Sequence, residues 1–131
     1  MGNQPRFARV TCFVNNPIKF ASMWESLLGL RRRMTHEFAA YTESEGGGMI
    51  LAFANHGIGE GNYGDDPTLR QGSGNVEISV EVDDVQAWHD KAVSLGFTSV
   101  QAPEKKDWGQ TVAYLKDPAG IRLALESPAE D

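Results

Sequence analysis

The chain has 131 residues, of which 40% are hydrophobic and 23% are charged, and its formal net charge is −6 at pH 7. This length suits one domain with one core, and the acidic balance disfavours nucleic acid as a partner. The single cysteine excludes an internal disulfide, and no apolar run is long enough to cross a membrane. We therefore expect a cytoplasmic protein that binds neither membranes nor nucleic acids.

A strand and a helix come first along the chain. Within residues 10–14, Val10, Cys12 and Val14 alternate with Thr11 and Phe13, which is the pattern of a strand with one buried face. Asn16 and Pro17 are typical of a helix start, and Gly29 is typical of a helix end. Between these signals, apolar residues recur on one helical face: Phe20, Met23, Trp24, Leu27 and Leu28.

The rest of the first half is predicted to contain more strands and a connection. Residues 34–43 predict a strand pair, entered through a solvated run at 31–33, and residues 49–54 predict a fourth strand. Residues 56–74 are rich in glycine, and we interpret them as a flexible connection or, alternatively, a lid over a site. His56 would then end the fourth strand.

The second half repeats the first. Residues 78–82 predict a strand, and Asp83 or Asp84 caps a helix that ends at Gly96. Three strands are predicted near residues 98–101, 111–116 and 121–126, the last two joined by a type I turn at residues 117–120. This order predicts an α+β fold in one domain, 1–131, with βαβββ modules at about 7–55 and 75–127.

Four segments carry a family resemblance: Met23–Leu30, Val82–Asp84, Trp108–Gly109 and Asp117–Gly120. From about residue 7 to residue 127, the chain resembles the vicinal-oxygen-chelate superfamily of glyoxalase I, bleomycin-resistance proteins and extradiol dioxygenases. The resemblance implies paired modules that form a curved, mixed eight-stranded cup, commonly completed in a homodimer.

The metal enzymes of that superfamily place ligands on strands of both modules. Their positions correspond here to Arg9, Leu51, Glu77 and Ala124. Only Glu77 has a side chain that can bind a divalent cation, because a guanidinium group cannot be a metal ligand and leucine and alanine side chains have no donor atom. The resemblance therefore implies a chain without a metal or another cofactor, and without the glyoxalase reaction.

Strand alternation gives the residues that face the cup. We expect Arg9 to pair with Glu77, and Arg122 to pair with Glu126 or Glu81. The candidate ligand-binding residues are Arg9, Phe13, Glu77, Ser79, Tyr114, Arg122 and Glu126. The resemblance adds Trp108, since bleomycin-resistance proteins have a similar Trp-Gly pair at the edge of the pocket. Alternatively, these charges only neutralise one another on a wet sheet face.

The leading functional hypothesis is a non-catalytic, metal-independent protein that binds a small aromatic or cationic compound and forms a homodimer. The alternative is a metal-dependent lyase or dioxygenase with shifted ligands, for example Glu77, Glu126 and His56. A third possibility is a subunit whose cup is vestigial. Cys12 is predicted to be an inert core thiol, and His89 a residue at the edge of the core.

Overall fold

Each half of the chain folds into a strand, a helix and three further strands, in a computed structural model that describes residues 5–67 and 76–129. Two compact units meet in the sequence between Gly64 and Asp65. The first unit contains β1 (Val10–Val14), α1 (Pro17–Leu28), β2 (Arg31–Thr35), a 3₁₀ turn (Glu37–Ala39), β3 (Tyr41–Gly46), β4 (Met49–Asn55) and α2 (His56–Tyr63). The second contains β5 (Glu77–Glu81), α3 (Val85–Ser94), β6 (Thr98–Lys105), β7 (Thr111–Lys116) and β8 (Arg122–Glu126).

Both units have the same sheet topology. The first sheet has the order β1-β4-β3-β2 and the second has the order β5-β8-β7-β6. In each sheet the first strand pairs with the last in parallel, and the other neighbours are antiparallel. The predicted α+β class with two βαβββ modules is confirmed.

Local sequence signals set the ends of the helices. The Asn16 side chain accepts a hydrogen bond from the Lys19 amide at 3.2 Å, and Gly29 ends α1 with φ of 70°. Asp84, one of the two predicted caps, accepts from the Ala87 amide at 3.0 Å. The turn that starts at Asp117 closes through the Gly120 amide at 2.9 Å, as a type I turn requires.

The near face of each sheet is the one that its main helix covers. In the first unit, Phe20 of α1 stacks on Phe53 of β4 with ring centroids 6.4 Å apart. In the second, His89 of α3 reaches Ser99 of β6. The side chains buried on these near faces include Cys12, Val14, Leu51, Phe53, Ile78, Leu115, Leu123 and Leu125. Cys12 is therefore part of the core, as predicted.

The far face of each sheet is the opposite one. Paired residues on neighbouring strands share a face, so the strand register shows which residues lie on the far face. In the first sheet they are Thr11, Phe13, Tyr41, Glu43, Glu45, Ile50, Ala52 and Ala54. In the second they are Glu77, Ser79, Glu81, Gln101, Glu104, Val112, Tyr114, Lys116, Arg122, Ala124 and Glu126.

Two predicted segments are corrected. Strands β2 and β3 occupy residues 31–35 and 41–46, so the predicted pair at 34–43 straddles the 3₁₀ turn that separates them. Residues 56–63 form α2 where a flexible connection was the main prediction, and His56 starts this helix after β4 has ended. The later part of that connection, 68–74, lies outside the described residues. None of the helices within the described ranges is long and apolar enough to span a bilayer.

Candidate functional site

A buried carboxylate organises the far face of the first sheet. Glu43 is only 8% exposed. Its Oε2 atom lies 3.3 Å from Nε of Arg9 and accepts a hydrogen bond from the Tyr41 hydroxyl at 2.5 Å. Its Oε1 atom lies 3.2 Å from Nε of Arg33. The desolvation of this carboxylate is thus offset by two guanidinium groups and a phenol.

The environment of Glu43 changes the acidity of Tyr41. Burial raises the pKa of Tyr41 from 10.0 to about 12, with further contributions from the hydrogen bond to Glu43 and from the charge of that carboxylate. The positive charges of Arg9 and Arg33 act in the opposite direction. Tyr41 therefore remains a neutral hydrogen-bond donor throughout the ordinary pH range.

The arginine run at 31–33 was predicted to be a solvated strand entry, and it does begin β2 with Arg31 and Arg33 exposed, but all three side chains also bind carboxylates. Arg31 forms an ion pair with Glu45, and Arg33 contacts both Glu43 and Glu45. On the near face, Arg32 binds Glu25 of α1 with its Nε atom 2.5 Å from Oε2. The register of β2 shifts between Arg32 and Met34. Arg31 lies directly opposite Glu45, and Arg33 is two residues further along the strand, so both side chains reach the carboxylates of the far face.

Helix α2 packs on the far face of the first sheet through Phe13, one of the predicted site residues. The rings of Phe13 and Tyr63 meet edge to face, with centroids 6.4 Å apart and planes at 81°. Gly59 lies against the same ring, so close that a Cβ atom there would be 3.0 Å from Cδ1. The far face of this sheet thus combines a charged cluster with an aromatic side chain covered by a helix.

Five predicted site residues share the far face of the second sheet: Glu77, Ser79, Tyr114, Arg122 and Glu126. The register sets Ser79, Ala124 and Tyr114 side by side on adjacent strands. Glu77 neighbours Arg122, and Glu81 neighbours Glu126. The sequence pattern therefore identified the correct face of β5 and β8.

A lysine completes this face, and the sequence analysis missed it. The Nζ atom of Lys106 lies 5.3 Å from the centroid of the Tyr114 ring and donates a hydrogen bond to Gln101 at 2.9 Å. It is also 3.8 Å from a carboxylate oxygen of Glu104. A single lysine in a turn gives no periodic signal, so only the fold reveals that its largely buried ammonium group contacts the tyrosine ring.

Trp108 lies in the turn between β6 and β7. It is 61% exposed, and its indole Nε1 donates to the side chain of Gln110 at 3.0 Å. The hydrogen bond fixes the orientation of the ring and leaves much of its surface accessible. This arrangement could present an aromatic surface to a flat ligand.

Arg9 and Glu77 belong to different units, and each has a contact within its own unit. Arg9 binds Glu43, whereas Glu77 accepts a hydrogen bond from Ser79 at 3.3 Å.

Glu43 was not a candidate because the whole of β3 is polar. Alternation cannot distinguish the two faces of the segment Tyr-Thr-Glu-Ser-Glu.

The positions that correspond to metal ligands in the resemblance do not fit a metal ion. Leu51, which was expected to face the cup, pairs with Val10 and Ser44 and lies on the near face. Its far-face neighbours, Ile50 and Ala52, also lack a donor atom in their side chains. Within residues 5–67 and 76–129, no group of three or more His, Cys, Asp or Glu side chains could hold a metal ion.

His89 is buried rather than at the edge of the core as predicted. Its Nε2 atom lies 2.8 Å from Oγ of Ser99, and its Nδ1 atom lies 3.2 Å from Oδ1 of Asp90. The hydrogen bond to His89, with another from Gln86, lowers the pKa of Asp90 below 3.8. These contacts tie α3 to β6 on the near face, away from the candidate site.

A cleft of about 450 Å³ opens at the start of α3. Its lining includes Asp83, Asp84, Pro103, Thr111 and Ser127. None of the predicted site residues lines it. We therefore assign the candidate sites to the far face of each sheet, because the predicted charged and aromatic side chains lie there and not in the cleft.

Comparison with known proteins identifies the family. The family model of the Glyoxalase/Bleomycin resistance protein/Dioxygenase superfamily matches residues 6–125. The chain therefore belongs to this superfamily, as the resemblance implied. A comparison with curated protein sequences found no match.

Solved structures agree with this fold at low sequence identity. A glyoxalase/bleomycin resistance protein/dioxygenase family enzyme from Burkholderia phytofirmans PsJN is 17% identical, with a TM-score of 0.80 over 91% of this chain and 95% of that one. A glyoxalase-related enzyme from Fulvimarina pelagi is 16% identical, with a TM-score of 0.81 over 95% and 89%. TioX from Micromonospora sp. ML1 is 17% identical, with a TM-score of 0.68 over 94% and 98%.

Proposed function

We propose that the chain is a small-molecule-binding protein of this superfamily that holds its ligand with organic side chains and performs no metal-dependent reaction. The observation that carries the proposal is the chemistry of the ligand positions. Arg9 and Ala124 occupy two of the positions that correspond to metal ligands. Leu51 occupies a third and lies on the near face. Binding needs affinity and no Lewis acid, so these residues are compatible with it.

The far face of the second sheet supports an aromatic or cationic ligand. The ammonium group of Lys106 lies against the Tyr114 ring, so a cation can approach this ring, and a ligand cation would take the place of that ammonium group. Glu81 and Glu126 are neighbours on β5 and β8, so their like charges repel each other in the absence of a cation. A bound cation would relieve that repulsion.

Benzylamine is a suitable probe, because it combines a ring with a cation. We expect NMR titration to shift the amides of β5, β7 and β8, and Glu126→Gln to weaken binding. Asp83→Asn is the matched control, since it removes one negative charge from the cleft in the same unit. If benzylamine shifts only the cleft residues and Asp83→Asn abolishes binding, the far-face site is wrong.

The metal-dependent lyase or dioxygenase remains the second candidate. Glu77 and Glu126 share the far face of the second sheet, and Arg122 neighbours Glu77 on β8. A positive charge at that position opposes the binding of a divalent cation, which favours the non-metal proposal.

We also propose that the chain forms a homodimer in the cytoplasm. Each sheet, taken by itself, has edge strands: β1 and β2 in the first, β5 and β6 in the second. Edge strands are commonly protected by an oligomeric partner. Light scattering should give twice the chain mass of 14.3 kDa, and a mass of 14.3 kDa at all micromolar concentrations would contradict the dimer.

A further inference from the structure

Helix α2 covers part of the far face of the first sheet, and the contact depends on a glycine. A Cβ atom at Gly59 would lie 3.0 Å and 3.2 Å from two carbons of the Phe13 ring. The backbone of α2 approaches the ring this closely because Gly59 has no side chain. Gly61 faces open space, with nothing within 4 Å of a Cβ atom.

This helix is only marginally stable by composition. It has eight residues, with glycine at positions 57, 59 and 61. Each glycine in a helix interior costs about 1 kcal/mol relative to alanine, and so short a helix depends on its tertiary contacts. The buried Nδ1 atom of His56 has no hydrogen-bond partner among the described residues, so the first turn of α2 also leaves a polar group without a hydrogen bond.

The two ends of α2 are held unequally. At its start, Asn55 is paired with Val14 in the sheet, and its side chain accepts a hydrogen bond from the Ile58 amide at 2.9 Å. Near its end, the Tyr63 ring contacts Phe13 yet stays 70% exposed, and the Gly64 amide donates to the Glu60 carbonyl at 2.8 Å. Tyr63 and Gly64 belong to no strand, so opening should begin at this end, with Asn55 as the fixed point.

The surface under this helix suits an aromatic ring. On the far face, the C-terminal half of β4 contributes only the methyl groups of Ala52 and Ala54, and both residues are buried. Phe13 lies on one side of Ala54 and Tyr41 on the other, two strands apart, at roughly 10 Å between backbones. A planar ligand could replace the Gly59 backbone between these two aromatic side chains.

The charge next to this surface favours an anion. Arg9, Arg31 and Arg33 contact two carboxylates, Glu43 and Glu45. Arg9 uses its Nε atom for Glu43, and its side chain is 46% exposed. The two terminal nitrogens of the guanidinium group form the planar fork that binds a carboxylate best.

We propose that α2 is a lid that opens to admit a small aromatic carboxylate, with the carboxylate on Arg9 and the ring against Phe13 and Tyr41. The proposal rests on the proposed binding function and specifies a ligand class for the first sheet. Because only the open state accepts the ligand, the stability of α2 sets the apparent affinity.

Hydrogen exchange tests the lid without a ligand. Gly61→Ala should slow exchange of the α2 amides about fivefold, the equivalent of about 1 kcal/mol of helix propensity. Gly59→Ala gives the same gain in helix propensity but places a methyl group against Phe13. It should therefore slow exchange less than Gly61→Ala, or accelerate it. In a Phe13→Ala background, Gly59→Ala should regain the fivefold effect. Equal slowing by Gly59→Ala and Gly61→Ala in the native background, or α2 amides as protected as those of α1, would overturn the lid.

Benzoate tests the ligand class, with benzylamine as its cationic counterpart. Benzoate should shift the NMR signals of the Arg9 side chain and the α2 amides, and Arg9→Met should abolish the shifts. Gly61→Ala should weaken benzoate about fivefold by reducing the open population. An unchanged benzoate affinity in Gly61→Ala would show that the ligand does not require the open lid, and would overturn the proposal.

The two proposals fail in distinguishable ways. If benzoate leaves Arg9 and α2 unperturbed while benzylamine binds the second sheet, the carboxylate site is wrong and the binding function stands. If benzoate binds at Arg9 and benzylamine binds nowhere, the lid stands and the cationic ligand class is wrong.

Discussion

The two units share one topology, yet their far faces differ in how charge is arranged. On the first sheet, Arg9, Arg33 and Tyr41 surround a carboxylate that is 8% exposed. On the second, Glu77, Ser79, Glu81 and Arg122 are exposed along the strands. One face is organised around a buried charge, and the other is a polar surface with neighbouring carboxylates on β5 and β8.

This difference shows that a repeated fold does not imply repeated chemistry. Backbone pairing fixes which side chains share a face, but the identity of those side chains sets charge, burial and ligand preference. The excess of arginine on the first sheet suits an anion. The Glu81–Glu126 neighbours and the Tyr114 ring on the second suit a cation.

The largest expected effect comes from removing the buried carboxylate. Glu43→Gln should lower the free energy of unfolding by about 1.5–3 kcal/mol, because Arg9, Arg33 and Tyr41 lose a charged acceptor. The half-exposed arginines can regain water, which keeps the loss below that of a fully buried pair. Urea denaturation measures the change.

The matched variant on the second sheet is Glu126→Gln. It should change the unfolding free energy by less than about 0.5 kcal/mol, or stabilise the chain slightly, because it relieves repulsion with Glu81. Equal losses in Glu43→Gln and Glu126→Gln would remove the distinction between the two faces.

A second test uses alkaline pH. The pKa of Tyr41 is raised to about 12, so its contribution to stability is fully present below pH 10 and is lost as the pH approaches 12. Stability should fall across this window more steeply in the native chain than in Tyr41→Phe. Parallel curves for the two proteins would show that burial and the contact with Glu43 do not raise the pKa of Tyr41.

A third test concerns Trp108 and the ligand. Trp108→Ala should leave the unfolding free energy within about 0.5 kcal/mol, because the side chain is 61% exposed. It should weaken a flat ligand by about 0.5–1.5 kcal/mol beyond the loss of contact area if the ring stacks on that ligand. Urea denaturation measures the unfolding free energy, and calorimetric titration measures the affinity for benzylamine. An unchanged affinity would show that Trp108 is not part of the site.

The smallest effect is expected at acidic pH in the second unit. The hydrogen bond from His89 lowers the pKa of Asp90, so its contribution is present above pH 3.8 and is lost as the pH falls through the lowered pKa. Asp90→Asn should slightly flatten the acid limb of the stability curve. A steeper limb in Asp90→Asn would contradict the assigned contact.

The sequence predicts the repeated modules because the relevant signals are local. The Asn16 cap, the Gly29 helix end and the Asp117 turn each act within a few residues. The alternation of β5 identifies the far face of the second sheet, since its apolar and polar positions alternate, and on β8 the two leucines mark the opposite face. These features need no knowledge of distant contacts.

The cluster around Glu43 could not be predicted in the same way. Strand β3 is polar on both faces, and two of the partners of Glu43, Arg9 and Arg33, come from other parts of the chain that only the sheet brings close. Helix α2 was missed because its glycines oppose helix formation, and the contact between Gly59 and Phe13 is tertiary. Leu51 was placed on the wrong face because a shift of one residue reverses the orientation of a strand position.

The most direct test of the binding proposal is elemental analysis of tag-free protein, combined with an assay on hemithioacetals. Arg9, Ile50, Ala52 and Ala124 offer no suitable metal donor, so we expect neither stoichiometric nickel, zinc, iron nor manganese, and no turnover. One tightly bound transition metal per chain, lost together with activity in Glu77→Gln, would contradict the proposal and establish the metal-dependent alternative.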